Sequence, residues 1–201
     1  MVLYLLKSPS LWVALISMIS YWNDTSLHGN WVYDDAGSVA KNVVVIGKVP
    51  TMEVFKRDFW GTPMNQPASH KSFRPVTTLS FRLNYLFSQL DNTYWYHVTN
   101  VVLHGIVSGL VTKMSTFVFR GGESTTNVIA QLVTGFLFGL HPIHAEVVSN
   151  ITSRGEMLMS LFYILAIWSY ASATNTLQQS QPPCPTTIWT FLKMYVFPAL
   201  C

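Results

Sequence analysis

Trp95 to Phe119 reads WYHVTNVVLHGIVSGLVTKMSTFVF. The run is long enough to cross the ~30 Å hydrocarbon core of a bilayer as one α-helix. Its polar residues are not scattered. His97, Asn100, His104, Ser108, Thr112 and Ser115 recur at steps of three or four and share one helix face. Gly105 and Gly109 form a small-xxx-small pair suited to close helix contact. Such a stripe serves either hydrogen bonding inside a bundle or the polar wall of a substrate groove.

Other hydrophobic segments flank this one. The first runs from about Val2 to Trp22, broken at Lys7-Ser8-Pro9-Ser10, and reads as an uncleaved signal anchor over residues 1–22. The third spans Val128 to Leu140 and extends at most to Val148, and the fourth runs from Met157 to Ala173. Residues 95–173 thus predict three transmembrane helices. Residues 174–187, rich in Gln, Ser, Thr and Pro, predict a flexible loop. A further span begins at Ile188 and is still hydrophobic at Cys201, which points to a piece of a longer protein. The expected fold class is an α-helical multi-span membrane protein.

Composition agrees. Half of the residues are hydrophobic and only 10% are charged, against about 25% in an ordinary soluble domain. The net charge of +3 is too small and too scattered to argue for a nucleic-acid partner, and none is expected. Cys184 and Cys201 have no second pair, so neither a zinc site nor a disulfide framework is legible.

A polar stretch, residues 23–94, separates the first two segments. Within it Val76, Leu79, Leu83, Leu86 and Leu90 recur at helical spacing behind Pro75, with Phe81 and Tyr85 widening the apolar face. This predicts an amphipathic helix over about 75–90, lying on the membrane surface or packed on its own domain. If the second and third segments both span, the chain returns to its starting side. The 23–94 loop and the run His141-Pro142-Ile143-His144-Ala145-Glu146 then share one compartment. The third segment is the weak link, since thirteen residues reach only about 20 Å. Charge does not orient the loop, because long loops largely escape the positive-inside rule. Two sequons, Asn23-Asp24-Thr25 and Asn150-Ile151-Thr152, fall on the same side and are compatible with a lumenal loop.

Ionisable clusters punctuate this apolar chain, and charge beside lipid is expensive enough to be kept for function. They are Tyr33-Asp34-Asp35, Ser69-His70-Lys71-Ser72-Phe73-Arg74-Pro75, and His141 to Glu146. With Asp58-Phe59-Trp60-Gly61-Thr62-Pro63, Leu79 to Tyr85, Tyr96 to His104 and Ser153-Arg154-Gly155-Glu156, they resemble the transmembrane and tetratricopeptide-repeat-containing protein O-mannosyltransferases of the endoplasmic reticulum. The resemblance covers about Trp31 to Ala173. It implies a GT-C glycosyltransferase fold with a large lumenal first loop, placed in the endoplasmic reticulum membrane as the N-terminal part of a protein that continues into further spans and repeats. It implies transfer of mannose from dolichyl-phosphate-mannose, a lipid-linked donor, to Ser or Thr of secretory or cell-surface proteins such as cadherins. Where relatives tend to carry Gly-Arg-Ala-Asp/Glu, this chain has Ser153-Arg154-Gly155-Glu156.

That chemistry needs a base near the acceptor hydroxyl, and Asp34 or Asp35 is the candidate; an Asp pair also suits a turn or helix cap. The leaving phosphate needs positive charge, and Arg74, Arg154 and Lys71 are the candidates. Their alternatives are a carboxylate partner for Arg74, snorkelling for Arg154 and simple exposure for Lys71. His141, His144 and Glu146, with His97 and His104, are expected to form a polar site wall or structural hydrogen bonds. Pro142 removes the helical spacing of a zinc motif, so no metal or other cofactor is expected. A transporter and a non-catalytic membrane scaffold remain as alternative classes. A transporter predicts functional charge deep in the bundle, whereas most charge here lies in one loop.

Overall fold

The computed structural model describes residues 8–119 and 125–179. Every regular element among them is helical, and one isolated antiparallel bridge joins Arg57 and Pro63. The helices are α1 (Pro9–Tyr21), α2 (Asp24–Leu27), α3 (Pro75–Ser88), α4 (Tyr94–Val118), α5 (Thr125–Gly139), α6 (His144–Ser149) and α7 (Arg154–Gln179). The chain divides into two compact units. Among the described residues, the loop unit comprises 18–103 and 142–156, and the helical unit comprises 8–17, 104–119, 125–141 and 157–179.

In the helical unit, small residues let helices approach. A Cβ on Gly109 of α4 would lie 2.9 Å from the Ser10 carbonyl oxygen of α1. A Cβ on Gly135 of α5 would overlap Thr112 Oγ1, and one on Gly139 would overlap Ser17 Oγ. Glycines at these points remove the side chains that would otherwise hold the helices apart. The polar stripe of α4 lies on the buried side. Ser108, Thr112 and Ser115 hydroxyls donate to the carbonyls of His104, Ser108 and Thr112 at 2.8, 2.8 and 2.7 Å. His104 Nε2 lies 2.9 Å from the Gly139 carbonyl. From His104 onward the stripe therefore satisfies itself and ties α4 to α5. Lys113 rests its ammonium 4.6 Å from the centre of the Trp168 ring on α7.

Two helices among the described residues are long and apolar enough to cross a membrane, α4 and the segment Ile151–Thr174 that contains most of α7. Helices α1 and α5 have 13 and 15 residues, about 20 and 22 Å at 1.5 Å per residue. The third segment does not continue to Val148. It stops at Gly139, and a turn through Pro142 leads to the separate helix α6. The fourth segment runs further than expected: residues 174–179 belong to α7 rather than to a loop. The rest of that loop, the segment from Ile188 and residues 2–7 of the first segment lie outside the described residues.

The loop unit has its own core, built on Val39, Val45, Phe59, Phe81, Tyr96 and Ile151. Two buried polar side chains organise its irregular backbone. Asn42 donates to the Phe59 carbonyl at 3.0 Å and accepts from the Val44 amide at 2.9 Å. Gly61, at φ +85°, passes so close that a Cβ would sit 3.0 Å from Asn42 Oδ1. Asp58 accepts from the amides of Trp60, Thr62 and His70 and from the Ser69 hydroxyl, the last at 2.6 Å. Burial alone would raise its pKa, but these hydrogen bonds outweigh it and hold the carboxyl below its usual value.

Pro75 opens α3 at a position that needs no amide hydrogen. The helix buries Thr77, Thr78 and Phe81. Its leucine stripe faces outward, with Val76, Leu83, Leu86 and Phe87 all exposed. Phe81 does not widen that stripe, because it lies on the opposite, core-facing side.

Candidate functional site

The Asp34–Asp35 pair sits on a strained turn. Tyr33 has φ +42°, a left-handed conformation that costs an L-residue roughly 1–2 kcal/mol. After the turn the two carboxylates part. Asp35 is 1% exposed. Its Oδ2 accepts from the Val32 amide and its Oδ1 from the Thr152 amide, both at 3.2 Å. Burial raises its pKa, against the pull of those two amides. Asp34 is exposed, its side chain makes no hydrogen bond or ion pair among the described residues, and it lines a cavity.

That cavity lies within the loop unit and has a volume of about 380 Å³. Asp34, Phe59, Trp60, His70, Ser72 and Arg74 line it from the first loop, and Asn150, Thr152, Ser153 and Glu156 line it from the second. The Phe59 amide donates to the Ser72 carbonyl at 2.7 Å and fixes the backbone leading to Arg74. The Arg74 guanidinium then lies 5.0 Å from the centre of the Phe59 ring. It forms no ion pair or hydrogen bond among the described residues. Asp58 grips the His70 amide at 3.0 Å, and the His70 and Trp60 rings are 5.9 Å apart. Chemically, the cavity offers two carboxylates, a guanidinium, an imidazole and an aromatic wall. That set can take a proton, bind an oxyanion and face a sugar ring.

The other candidates lie elsewhere. Arg154 is 0% exposed and does not line the cavity. Its Nε donates to Asn100 Oδ1 at 2.8 Å, one terminal nitrogen to Asn84 Oδ1 at 2.6 Å, and the other to the Tyr96 carbonyl at 2.9 Å. Phe81 covers it at 4.7 Å. Its donors are spent inside the fold, so it is neither snorkelling nor aimed at a donor phosphate. Lys71 is exposed, with φ +58°, and its ammonium bonds the carbonyls of Met64 and Gln66. His97 and His104 are buried at 4% and 2% exposure rather than lining a groove. His144 and Glu146 start α6 outside the cavity wall, and His141 belongs to the helical unit. Among the described residues no cluster of three His, Cys, Asp or Glu is placed to hold a metal.

Sequence reasoning missed several cavity residues. Glu156 and His70 stood inside quoted blocks but carried no separate signal. Trp60 and His70 owe their placement to Asp58, which accepts from both of their amides. Asn150 was visible only as part of a sequon.

No family model and no solved structure matches the chain. Curated proteins do. The human protein O-mannosyl-transferase TMTC3 is 38% identical over 192 residues, which is 96% of this chain and 19% of that protein. The Xenopus laevis protein O-mannosyl-transferase tmtc2 is 39% identical over 161 residues, 80% of this chain and 18% of that protein. The mouse protein O-mannosyl-transferase TMTC4 is 29% identical over 199 residues, 94% of this chain and 27% of that protein. The chain thus spans roughly a fifth to a quarter of the length of these relatives. Identity of this order along nearly its whole length means that the chain belongs to the TMTC protein O-mannosyl-transferase family.

Proposed function

We propose that this chain carries part of the active site of a protein O-mannosyltransferase of the endoplasmic reticulum membrane. It uses dolichyl-phosphate-mannose as donor and Ser or Thr hydroxyls of secretory-pathway proteins, cadherins among them, as acceptors. One observation carries the proposal. A single cavity brings Asp34 and Arg74 together, and neither side chain makes a hydrogen bond or ion pair among the described residues. Asp34 takes the proton from the acceptor hydroxyl as its oxygen attacks the anomeric carbon. The bond from that carbon to the phosphate oxygen breaks. The electron pair leaves on dolichyl phosphate, whose anion Arg74 holds bidentately. Asp35 positions the turn and is not the base.

The names of the relatives support mannosyl transfer to protein. The two apolar helices support a membrane protein, and a multi-span GT-C-type arrangement is the form this proposal takes. The outward apolar stripe of α3 fits a helix lying at a membrane interface, where a lipid-borne donor arrives. A cavity lined from both loops also supports their sharing one compartment, the lumen, which the short helix α5 leaves open by length alone.

The test is transfer by the full-length protein in microsomes. Asp34→Asn should lower the rate by roughly 10²–10⁴-fold with membrane insertion unchanged. Wild-type transfer by that variant would remove Asp34 as the base.

A further inference from the structure

Asn150-Ile151-Thr152 reads as an acceptor for N-glycosylation, yet the structure puts it to a different use. Asn150 Oδ1 accepts from the Thr152 amide at 3.1 Å and from the Thr152 hydroxyl at 2.7 Å. The backbone amide can only donate, so it fixes which end of the Asn150 side chain is oxygen. The Asn150 carbonyl is also taken, by Asn100 Nδ2 at 3.0 Å. The Thr152 amide is shared with Asp35 Oδ1. What remains unspent is the Asn150 NH₂ group. It makes no hydrogen bond among the described residues, and Asn150 lines the same cavity as Asp34 and Arg74.

We infer that Asn150 is a ligand-binding residue rather than a glycan acceptor. Resting on the mannosyl-transfer proposal, its NH₂ group donates to a phosphate oxygen of the lipid-linked donor, beside Arg74. A primary amide suits this task. It adds two donors without a charge, so the phosphate is held and still released as product. A glycan on Nδ2 would remove a donor and thread a sugar chain into a space of about 380 Å³. The sequon and the open cavity are therefore incompatible in one molecule, and the functional chain carries Asn150 unmodified.

The experiment has two arms, both on the full-length protein. In the first, the peptide containing Asn150 is examined by mass spectrometry with and without glycosidase treatment; an unmodified Asn150 is expected, and a glycan there in the active fraction overturns the inference. In the second, dolichyl phosphate is titrated into phosphatidylcholine nanodiscs carrying the unsubstituted protein, Asn150→Asp or Asn150→Ser. Asp keeps the oxygen that Thr152 needs and replaces the donor by a negative oxygen. Ser keeps a shorter acceptor and adds no charge, which covers a failure of Asn150→Asp to fold. Both should bind at least about 10-fold more weakly, the effect of losing a hydrogen bond to a charged group. Equal binding by unsubstituted protein and folded variants sinks the Asn150 assignment and leaves the donor proposal standing. No binding by the unsubstituted protein sinks the donor proposal and the amide's ligand with it. If inorganic phosphate alone binds with the same sensitivity to Asn150 and dolichyl phosphate does not, the amide remains an oxyanion ligand and the lipid donor is overturned.

Discussion

Asp35 Oδ1 lies 3.2 Å from the backbone nitrogen of Thr152, a contact that joins positions 117 residues apart. It clamps the turn bearing Asp34 to the segment bearing Asn150 and Ser153, the two walls of one cavity. Asp35 has a raised pKa, so the folded chain holds its proton more tightly than the unfolded chain does. Its stabilising contribution is fully present below the ordinary value of 3.8. It is lost as pH rises through the raised value. Asp35→Asn should therefore flatten the stability profile over that window. The lost acceptor costs about 1–3 kcal/mol, since one amide oxygen cannot serve both Val32 and Thr152 as two carboxylate oxygens do, and removal of the buried charge offsets that cost as pH rises. Thermal unfolding in detergent across mildly acidic pH measures both effects, and an unchanged slope would show that Asp35 does not titrate differently on folding.

Arg74 stands at the entrance to α3 with only an aromatic face beneath it. Losing a charge that serves no internal partner should cost little stability. Arg74→Ala is expected to raise the donor concentration needed for half-maximal transfer by 10-fold or more, the loss of a charge-assisted hydrogen-bond pair. Arg74→Lys should rescue only in part, because an ammonium lacks the planar fork. Initial rates against dolichyl-phosphate-mannose concentration decide it. If the only change is a lower amount of folded protein, the arginine is structural.

For Arg154 the expected behaviour is the reverse. It is a buried cation whose neighbours are Asn84, Asn100, Ser80 and the Tyr96 carbonyl, all arranged as acceptors. Arg154→Ala strands those acceptors and empties the volume of a fully buried side chain, and should destabilise the protein by about 3–5 kcal/mol. Arg154→Lys cannot reach the same set and should recover little. The molecules that still fold should show an unchanged donor dependence, measured after gel filtration. A selective loss of donor affinity at normal stability would return Arg154 to the phosphate.

The long helices were legible because hydrophobic length and a three-to-four spacing are one-dimensional signals. The α4 stripe could be read as a stripe, but not as seam or groove, since that depends on where Gly135 and Gly139 bring α5. The cavity was half legible. Asp34 and Arg74 stood out as charges in an apolar chain. Which of two adjacent aspartates faced the cavity depended on φ at Tyr33 and on a partner 117 residues away, and neither leaves a local mark. Arg154 misled for a related reason. An arginine at the start of a span reads as a surface cation unless one knows that Asn84 and Asn100, from two other helices, converge on it.

Two glycines, Gly155 of α7 and Gly135 of α5, should respond oppositely to alanine. At Gly155, in the first turn of α7, a Cβ would meet Thr77 Oγ1 at 3.4 Å and an Arg74 guanidinium nitrogen at 3.6 Å. Those are ordinary contacts. Gly155→Ala should therefore stabilise α7 by about 0.5–1 kcal/mol through reduced backbone freedom in the unfolded chain, with Arg74 still able to bind. At Gly135 a Cβ would overlap Thr112 Oγ1 and lie 2.7 Å from Val13 Cγ2. Thr112 cannot swing aside freely, because its hydroxyl already donates to the Ser108 carbonyl at 2.8 Å. Gly135→Ala must then push α5 off α4 and α1, an overpacking cost of about 1–3 kcal/mol. Melting midpoints of the two variants, measured side by side in one detergent, should move in opposite directions. Equal shifts would mean that α5 does not approach α4 as closely as the structure places it.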